Sequence, residues 1–481
     1  MSLRASAIYM VARAIAGLVS LVAVGLFARG LGPAGYGWLA LAGSVAAVAV
    51  AVFLQPLQHA LGRFVVAEAA ARIVLGRLVI FVVLVLALCA GAAELIAGVT
   101  QAWPLGLAAA AWVLGSSQGL FDFSAQHATA TGQSRRYASL FVLKALLLAA
   151  IGALALRSGA GAAGAIAAYG LAAVLAVAVV TRSDWRGVWP GRTAVQVGPD
   201  NSIWRERLRS FCLPLGATLL MTAVLQWADR FVLAAAVSPE ALGAYAAVGD
   251  LAQQSLGFLF GALYLAWYPR LVRAHEAGDA VERSRLARRY ALLALAVLLP
   301  AVVGFALVAR ALSSVFFGAA YEAVALSVWP WLTFAIALAC MRMFFTDIGL
   351  FLAGRMGVQL RNVGLAAALG LVLNLWWAPR HGALGSAWAA VVAQGFCLLL
   401  SAWSVRGVVG WGGPDRSWIA PVVSALVMAV VVARLDGHGP VALATQAVAG
   451  VFVYGGCMLM LDGAGCRGWL ADWWRARSKA A

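Results

Sequence analysis

Apolar runs of about 20 residues recur along almost the whole chain, separated by short polar breaks. A helix of that length crosses the hydrocarbon core of a bilayer, because all of its backbone groups bond within the segment. Strand-like alternation is absent, and 64% of the 481 residues are hydrophobic. The pattern therefore predicts an all-α polytopic membrane protein rather than a soluble domain or a barrel.

Fourteen runs are predicted to be transmembrane helices. They cover residues 7–28, 37–57, 75–98, 103–121, 137–156, 160–181, 211–236, 245–267, 290–309, 324–346, 360–377, 383–405, 418–434 and 441–461. The first run has no small-residue cleavage site followed by a polar start, so we expect a retained helix rather than a removed signal peptide.

The formal net charge of +17 would suggest nucleic acid as a partner of a soluble protein, so its placement along the chain matters. With a cytosolic N-terminus, most of the 35 Lys and Arg residues fall in cytosolic segments. This bias predicts a protein of the bacterial inner membrane with both termini in the cytosol. No nucleic-acid motif accompanies the charge, and a basic cytosolic face suits anionic membrane lipids.

The order of spans and polar segments predicts two six-helix lobes. Residues 1–182 form the predicted N-lobe, 183–210 a cytosolic linker, 211–405 the C-lobe, and 406–481 two further helices with a cytosolic C-terminal tail. The linker is rich in Arg, Gly and Pro, which is typical of a connection between compact parts.

The two predicted lobes carry related turns. GPAGYG from Gly32 resembles SPEALGAY from residue 238, and an offset of 206 pairs Gly37 with Gly243. SGAGAAGA from residue 158 resembles PRHGALGS from residue 379, and an offset of 221 pairs Gly161 with Gly382. Two repeats in the same orientation are related by an axis along the membrane normal, a plan typical of transporters.

Three motifs point to a known superfamily: RGLGPAGYGW from Arg29; Pro214 followed by Asp229, Arg230 and PEALGAY; and NLWWAPRHGALGSA from Asn374. Their order and spacing resemble the polysaccharide exporters of the multidrug/oligosaccharidyl-lipid/polysaccharide (MOP) superfamily, most closely the Wzx-type flippases. The resemblance covers roughly the first 405 residues. The extra helix pair after residue 405 is more similar to lipid II flippases.

The resemblance implies a MATE-like fold and a function in lipopolysaccharide or exopolysaccharide biosynthesis. Such a flippase moves a polyprenyl diphosphate-linked repeat unit, of O-antigen or exopolysaccharide, from the cytosolic to the periplasmic leaflet by alternating access. The implied partners are that lipid-linked glycan, membrane lipids, and a polysaccharide polymerase with its chain-length machinery.

Two other functions remain open beside a flippase for O-antigen, exopolysaccharide or lipid II precursors. An ion-coupled MATE-like exporter of small molecules fits the fold, but internal cations would repel organic-cation drugs. A membrane polymerase or ligase would be expected to carry a large extracytoplasmic loop with catalytic residues, and the predicted loops on that side are short. We therefore expect a transporter without catalytic residues.

Charged residues inside the predicted spans are the candidate site residues, because a charge at mid-bilayer costs about 2.5–3.5 kcal/mol on insertion scales. Arg13, Lys144 and Arg342 are predicted to contact the diphosphate headgroup through charge-assisted hydrogen bonds. Alternatively, Arg13 snorkels to the interface and Arg342 pairs with an acid. Asp347 follows Arg342 by five residues, a poor α-helical spacing, so their pairing is expected to need another helix.

Asp229 and Arg230 are adjacent in the sequence WADRF, but successive helical side chains point about 100° apart. Counting outward from the bond between residues 239 and 240 places Arg230 beside Asp250, which predicts an ion pair across a hairpin. Asp229 is then either the partner of a cation in the other lobe or a protonatable cavity group. Trp227 is the candidate for stacking on sugar.

No cofactor or metal is predicted. Lys144 and Lys479 are the only lysines, and neither stands in an ATP-binding loop. The six cysteines have no metal-ligand spacing. Transport would then be driven by a proton or sodium gradient, by the membrane potential or by removal of product. The candidate coupling carboxylates, each equally open to a structural role, are Asp122, Asp229, Asp250 and Asp347.

Overall fold

The protein is represented by a computed structural model that describes residues 3–65, 68, 70–101, 103–185, 188, 201–406, 416–435 and 437–462. These residues form helices and contain no strand. The first eight helices are α1 (Leu3–Ala49), α2 (Gln55–Phe64), α3 (Ala70–Thr100), α4 (Leu107–Ala130), α5 (Ser134–Arg157), α6 (Gly161–Val180), α7 (Arg182–Trp185) and α8 (Asn201–Ala236). The next eight are α9 (Pro239–Glu276), α10 (Ala280–Leu307), α11 (Ala309–Phe316), α12 (Glu322–Met341), α13 (Asp347–Leu352), α14 (Met356–Ser404), α15 (Ile419–Ala433) and α16 (Gly439–Met460).

A helix lies over each of the fourteen predicted spans. Within the described ranges, nine helical runs have the length and hydropathy of a bilayer-crossing segment. Two of them, Val11–Phe64 with 54 residues and Met356–Ser404 with 49, are long enough for two crossings each. The predicted all-α polytopic membrane fold is confirmed.

The two longest helices contain a break at a glycine. Gly32 in α1 has φ of 68° and is followed by Pro33, and Gly382 in α14 has φ of 59°. Glycine adopts positive φ without the steric cost that a side chain would add. Gly161, which the offset of 221 pairs with Gly382, has φ of 58°. The two glycines that the predicted repeat pairs therefore share a positive φ.

The hairpin between α8 and α9 turns in two residues. Ser238 lies just before α9, where its hydroxyl accepts a hydrogen bond from the Ala241 amide at 3.1 Å. Pro239 occupies the first helical position, where its fixed φ is favourable and its missing N–H costs nothing. The sequence SPEA thus encodes the start of α9.

The residues pack into two compact units. Unit 1 comprises Met1–Ala247 and Val363–Ser386, and unit 2 comprises Val248–Asn362 and Ala387–Ala481. Residues 186–187 and 189–200 of the predicted linker, and residues 463–481 of the predicted tail, lie outside the described part of the chain. The predicted lobe boundaries therefore stay a prediction.

Each unit has an apolar core. In unit 1, Leu54, Leu61, Leu75 and Phe123 are buried together. In unit 2, the ring of Tyr290 stacks on that of Phe345 with centroids 4.5 Å apart. Close helix packing in membranes relies on tight contacts of this kind, because the lipid supplies little hydrophobic driving force between helices.

Candidate functional site

Two of the predicted headgroup cations lie near one carboxylate in unit 1. Lys144 Nζ on α5 donates a hydrogen bond to Gln118 Oε1 on α4 at 2.6 Å, and Gln118 Nε2 donates to Asp122 Oδ1 at 2.8 Å. Arg13 Nε on α1 donates to the Tyr137 hydroxyl at 2.9 Å. Both cations lie within electrostatic range of Asp122. We call Arg13, Gln118, Asp122, Tyr137 and Lys144 the unit 1 network.

Helix geometry explains how Gln118 links the two charges. Gln118 and Asp122 are four residues apart, so both side chains lie on the same face of α4. Phe121 presents its ring to Lys144, whose ammonium nitrogen lies 4.3 Å from the ring centroid. The hydrogen bond to Gln118 uses one of the three ammonium N–H groups of Lys144 and the ring contact engages a second, which leaves one N–H group to bind an anion.

Asp229 bonds across the hairpin between α8 and α9. The Tyr245 hydroxyl donates a hydrogen bond to Asp229 Oδ2, and the Arg230 amide donates to Asp229 Oδ1 at 2.8 Å. Tyr245 is 2% exposed, so its hydroxyl depends on this acceptor. Tyr245 belongs to the PEALGAY motif and is not among the residues predicted from sequence to have a role.

The position of the turn explains why Tyr245 was missed. The sequence prediction centres the hairpin on the bond between residues 239 and 240, whereas α8 ends at Ala236 and α9 begins at Pro239. The middle therefore lies about two residues earlier along the chain. Counting outward from this corrected turn brings Tyr245 to the level of Asp229 and Arg230.

The guanidinium group of Arg230 packs on the ring of Trp227, the residue that is predicted to stack on sugar. Its guanidinium carbon lies 4.5 Å from the centroid of the Trp227 ring, a cation–π distance. Arg230 is 7% exposed. The predicted ion pair with Asp250 joins residues of the two different units and stays a prediction, as does sugar stacking on Trp227.

Arg342 forms an ion pair with Asp347, and the predicted need for another helix is wrong. Arg342 Nη1 lies 2.6 Å from Asp347 Oδ2. Residues Arg342–Thr346 form a π-helical turn between α12 and α13. A π-helix bonds residue i to i+5, so two side chains five residues apart come to lie on one face. The predicted need for another helix holds only for α-helical spacing.

The ion pair is enclosed within unit 2. Arg342 is 3% and Asp347 is 8% exposed. Gln359 Nε2 donates to Asp347 Oδ2 at 3.4 Å, while Arg342 Nε is buried without a hydrogen-bond partner among the described residues. Arg342 would have to leave this pair to bind a headgroup, so its predicted role there stays a prediction.

The paired glycines Gly37 and Gly243 pack against each other's hairpin turn. A Cβ placed on Gly37 would lie 2.1 Å from the Pro239 carbonyl oxygen, and one placed on Gly243 would lie 1.8 Å from the Pro33 carbonyl oxygen. The turn at Pro239 contacts Gly37, and the turn at Pro33 contacts Gly243. Such a reciprocal pair of contacts is typical of a two-fold arrangement. We call these four residues the glycine contact.

Outside the predicted spans, Asp184 on α7 anchors the start of the predicted linker. Its carboxylate lies 3.4 Å from His127 Nδ1 and 3.1 Å from Arg136 Nη1, and its carbonyl accepts from Arg72 Nη1 at 2.5 Å. Burial alone would raise the pKa of Asp184, but the His127 hydrogen bond and the nearby positive charges outweigh it, so the pKa lies below its ordinary value.

Neither a metal site nor a disulfide is found in the described ranges. No three His, Cys, Asp or Glu side chains there are grouped so that they could hold a metal ion. The five described cysteines, Cys89, Cys212, Cys340, Cys397 and Cys457, are free thiols. The proton or sodium ion expected to drive transport stays a prediction.

Comparison with solved structures establishes the fold. The structure of the lipid II flippase MurJ in an inward closed conformation superposes with a TM-score of 0.67 at 11% identity, over 94% of this chain and 98% of that one. An inward-facing MATE multidrug transporter of the MOP superfamily gives 0.58 at 16% identity, over 84% and 94%. The Vibrio cholerae MATE transporter VcmN gives 0.54 at 16% identity, over 84% and 98%.

Sequence comparison establishes the family. A search of curated proteins found no match. The family model described as polysaccharide biosynthesis protein matches residues 2–275, more than half of the chain. Together with the fold, this match confirms the resemblance to MOP flippases. The chain belongs to the polysaccharide biosynthesis protein family and has the fold of the MOP superfamily transporters.

Proposed function

We propose that the protein flips a polyprenyl diphosphate-linked oligosaccharide repeat unit, of O-antigen or exopolysaccharide, from the cytosolic to the periplasmic leaflet. The unit 1 network is the observation that carries this proposal. It combines two cations, Arg13 and Lys144, with a single carboxylate, Asp122. The network therefore has an excess positive charge that suits an anionic headgroup and repels a cationic drug.

The network also supports reversible binding. Among the described contacts, Lys144 is linked to Asp122 through the Gln118 amide and not by a direct ion pair. An incoming diphosphate oxygen replaces the neutral amide oxygen of Gln118 as the acceptor for Lys144 Nζ. Asp122 limits the net attraction, which lets the headgroup leave on the other side.

The glycine contact supports alternating access. Gly37 and Gly243 lie at turns that are predicted, from the positive-inside pattern, to face the periplasm. We infer that this contact closes the periplasmic entrance while the unit 1 network is open to the cytosol. Separation of the two turns would then open the opposite entrance.

Proteoliposomes that contain a fluorescently labelled polyprenyl diphosphate oligosaccharide test the proposal. Dithionite bleaches label in the outer leaflet, so the bleached fraction reports flipping. Lys144→Gln keeps a similar length but loses the charge, and we expect the flipping rate to fall about 10- to 100-fold. Arg157→Gln, on the exposed end of the same helix, serves as the matched control and should flip normally.

Binding of the diphosphate headgroup by Arg13 and Lys144 can be tested through the dependence of flipping on substrate concentration. Arg13→Gln and Lys144→Gln should each raise the substrate concentration needed for half-maximal flipping, because both weaken phosphate binding. If the double variant flips at the parental rate and concentration dependence, the unit 1 network does not bind the headgroup. Arg342→Gln is a separate case, because loss of this buried charge would also leave Asp347 unpaired.

A lipid II-type flippase is the second candidate. The structural match to the lipid II flippase extends over 94% of this chain and 98% of that one. The same proteoliposomes, loaded with labelled lipid II, distinguish the two substrates. Faster flipping of lipid II than of an O-antigen or exopolysaccharide unit would favour this alternative.

We also propose an inner-membrane location with both termini in the cytosol, and partnership with a polysaccharide polymerase and its chain-length machinery. A reporter fused to each terminus, one active only in the cytosol and one only in the periplasm, tests the orientation. Flipping assays with imposed proton or sodium gradients identify the coupling ion, with Asp229→Asn as the first variant.

A further inference from the structure

A cavity of about 560 Å³ lies in unit 2 between α9, α10, α14 and the π-helical turn after α12. Its walls are mainly apolar and include Leu298, Met341 and Leu398. From Leu398 on α14 to Arg406, two residues after the helix ends, the lining spans about 12 Å at the helical rise of 1.5 Å per residue. In a membrane protein, a cleft of this depth and polarity suits hydrocarbon chain.

One end of the cleft is basic and aromatic. Arg406 lines this end, and its guanidinium carbon lies 4.3 Å from the centroid of the Trp403 ring. Arg355 Nη1 donates to the Ser404 carbonyl oxygen at 3.4 Å, so a second guanidinium group lies at the same end of α14. Arg and Trp together at a helix end mark the level of lipid headgroups.

A buried hydrogen-bond donor also lines the cleft. Trp418 packs against the apolar core of unit 2, and its indole Nε1 is buried without an acceptor among the described residues. Buried N–H groups in proteins are nearly always paired. An oxygen atom on a molecule inside the cleft would complete this bond.

We propose that the cleft binds an anionic glycerophospholipid. An acyl chain lies between α10 and α14, an ester carbonyl oxygen accepts the hydrogen bond from Trp418 Nε1, and the phosphate pairs with Arg406 and Arg355. A polyprenyl diphosphate has no ester carbonyl and leaves Trp418 unpaired. Inorganic phosphate has no chain to fill the cleft. The site shares no residue with the unit 1 network.

Native mass spectrometry of the delipidated full chain tests this site. We expect phosphatidylglycerol to bind about tenfold more tightly than phosphatidylcholine with the same acyl chains, since only the former has a net negative charge. Arg406→Gln should abolish this difference, and Trp418→Phe should weaken both lipids by removing the shared hydrogen bond. Arg434→Gln, an exposed arginine after α15, is the control and should change neither affinity.

Substitutions that fill the cleft with a larger side chain give an independent test of lipid binding. Ala402→Phe should exclude both phospholipids, and Leu399→Phe, at a side chain that is 70% exposed, is the second variant if the first fails to fold. Equal affinities of the two phospholipids for the parent protein overturn the proposal. Competition by undecaprenyl phosphate at lower concentration than phosphatidylglycerol overturns it in favour of a substrate tail. Equal thermal stabilisation by inorganic phosphate overturns it in favour of a simple anion site.

Discussion

Gly243→Ala is the sharpest test of the glycine contact. The added Cβ would lie 1.8 Å from the Pro33 carbonyl oxygen, 2.7 Å from its carbon and 2.9 Å from the Gly37 nitrogen. All three atoms belong to backbone, so no side chain can rotate to make room. The two turns must therefore move apart by about an ångström or more to reach an ordinary contact distance.

The expected energy follows from this forced separation. Insertion of a methyl group into a well-packed contact costs about 1–3 kcal/mol. If the contact exists only in the state closed at this end, the same energy shifts the balance between closed and open states about 5- to 150-fold. Under the proposed function, the protein passes through both states in each cycle, so the flipping rate should change as well.

Cysteine accessibility measures the shift directly. Ala40, three residues after Gly37 on α1, is 5% exposed, so Ala40→Cys should react slowly with a membrane-impermeant maleimide. The background lacks the native cysteines, and the reagent is added to spheroplasts. We expect Gly243→Ala to increase the labelling rate about 5- to 150-fold, the factor by which the open state gains population.

A second glycine on the same helix supplies the control. Gly261 lies on α9, and a Cβ at that position would meet no atom within 4 Å. Gly261→Ala should leave labelling at residue 40 unchanged and stabilise the helix slightly. Equal labelling rates in Gly243→Ala and Gly261→Ala, with equal thermal stability, would refute the backbone contact and the entrance assigned to it.

Three further predictions concern polar groups. Tyr245→Phe should lower the free energy of unfolding by about 1–3 kcal/mol because Asp229 loses its bonded partner, whereas Asp229→Asn keeps an acceptor and should cost less in chemical denaturation. Arg342→Met alone should cost about 3–5 kcal/mol, and the double variant with Asp347→Leu should restore most of it in the same assay. The pKa of Asp184 is lower in the folded chain than in the unfolded chain, where it is about 4. Its carboxylate therefore stabilises the fold at pH values above the unfolded pKa, and this stabilisation is lost as the pH falls through the folded pKa. Asp184→Asn should make the melting temperature depend less on pH in this range.

The helical part of the fold could be predicted because hydrophobicity largely determines it. A run of about 20 apolar residues must be helical in lipid, whatever its neighbours are. The glycines Gly161 and Gly382 could also be paired from sequence, and they share a positive φ. These features depend on local properties of the chain, which is why one sequence was sufficient.

Side-chain partners could not be predicted as well, since they depend on small changes in helix geometry. The spacing rule predicted that an Arg342–Asp347 pair would need another helix, because it assumed 3.6 residues per turn, and the π-helical turn changed that number. The partner of Asp229 was missed because the turn was placed about two residues too late. Apolar composition does not indicate a π-helical turn or the exact position of a hairpin turn. An error of one or two residues in either was enough to predict the wrong side-chain partners.

The glycine contact combines a feature that the sequence predicts, the paired glycines, with one that only the structure shows, the packing of the two turns. An offset of 206 makes Gly37 equivalent to Gly243. In the structure Gly37 lies against the Pro239 carbonyl, and Gly243 lies against the Pro33 carbonyl. Equivalent residues of a parallel repeat meet only near the axis that relates the repeats. A contact formed by backbone buries little apolar surface, so little free energy is lost when it separates. A substrate that favours one state by only a few kcal/mol could therefore open it, which is the energy range that a bound diphosphate supplies through two or three charge-assisted bonds.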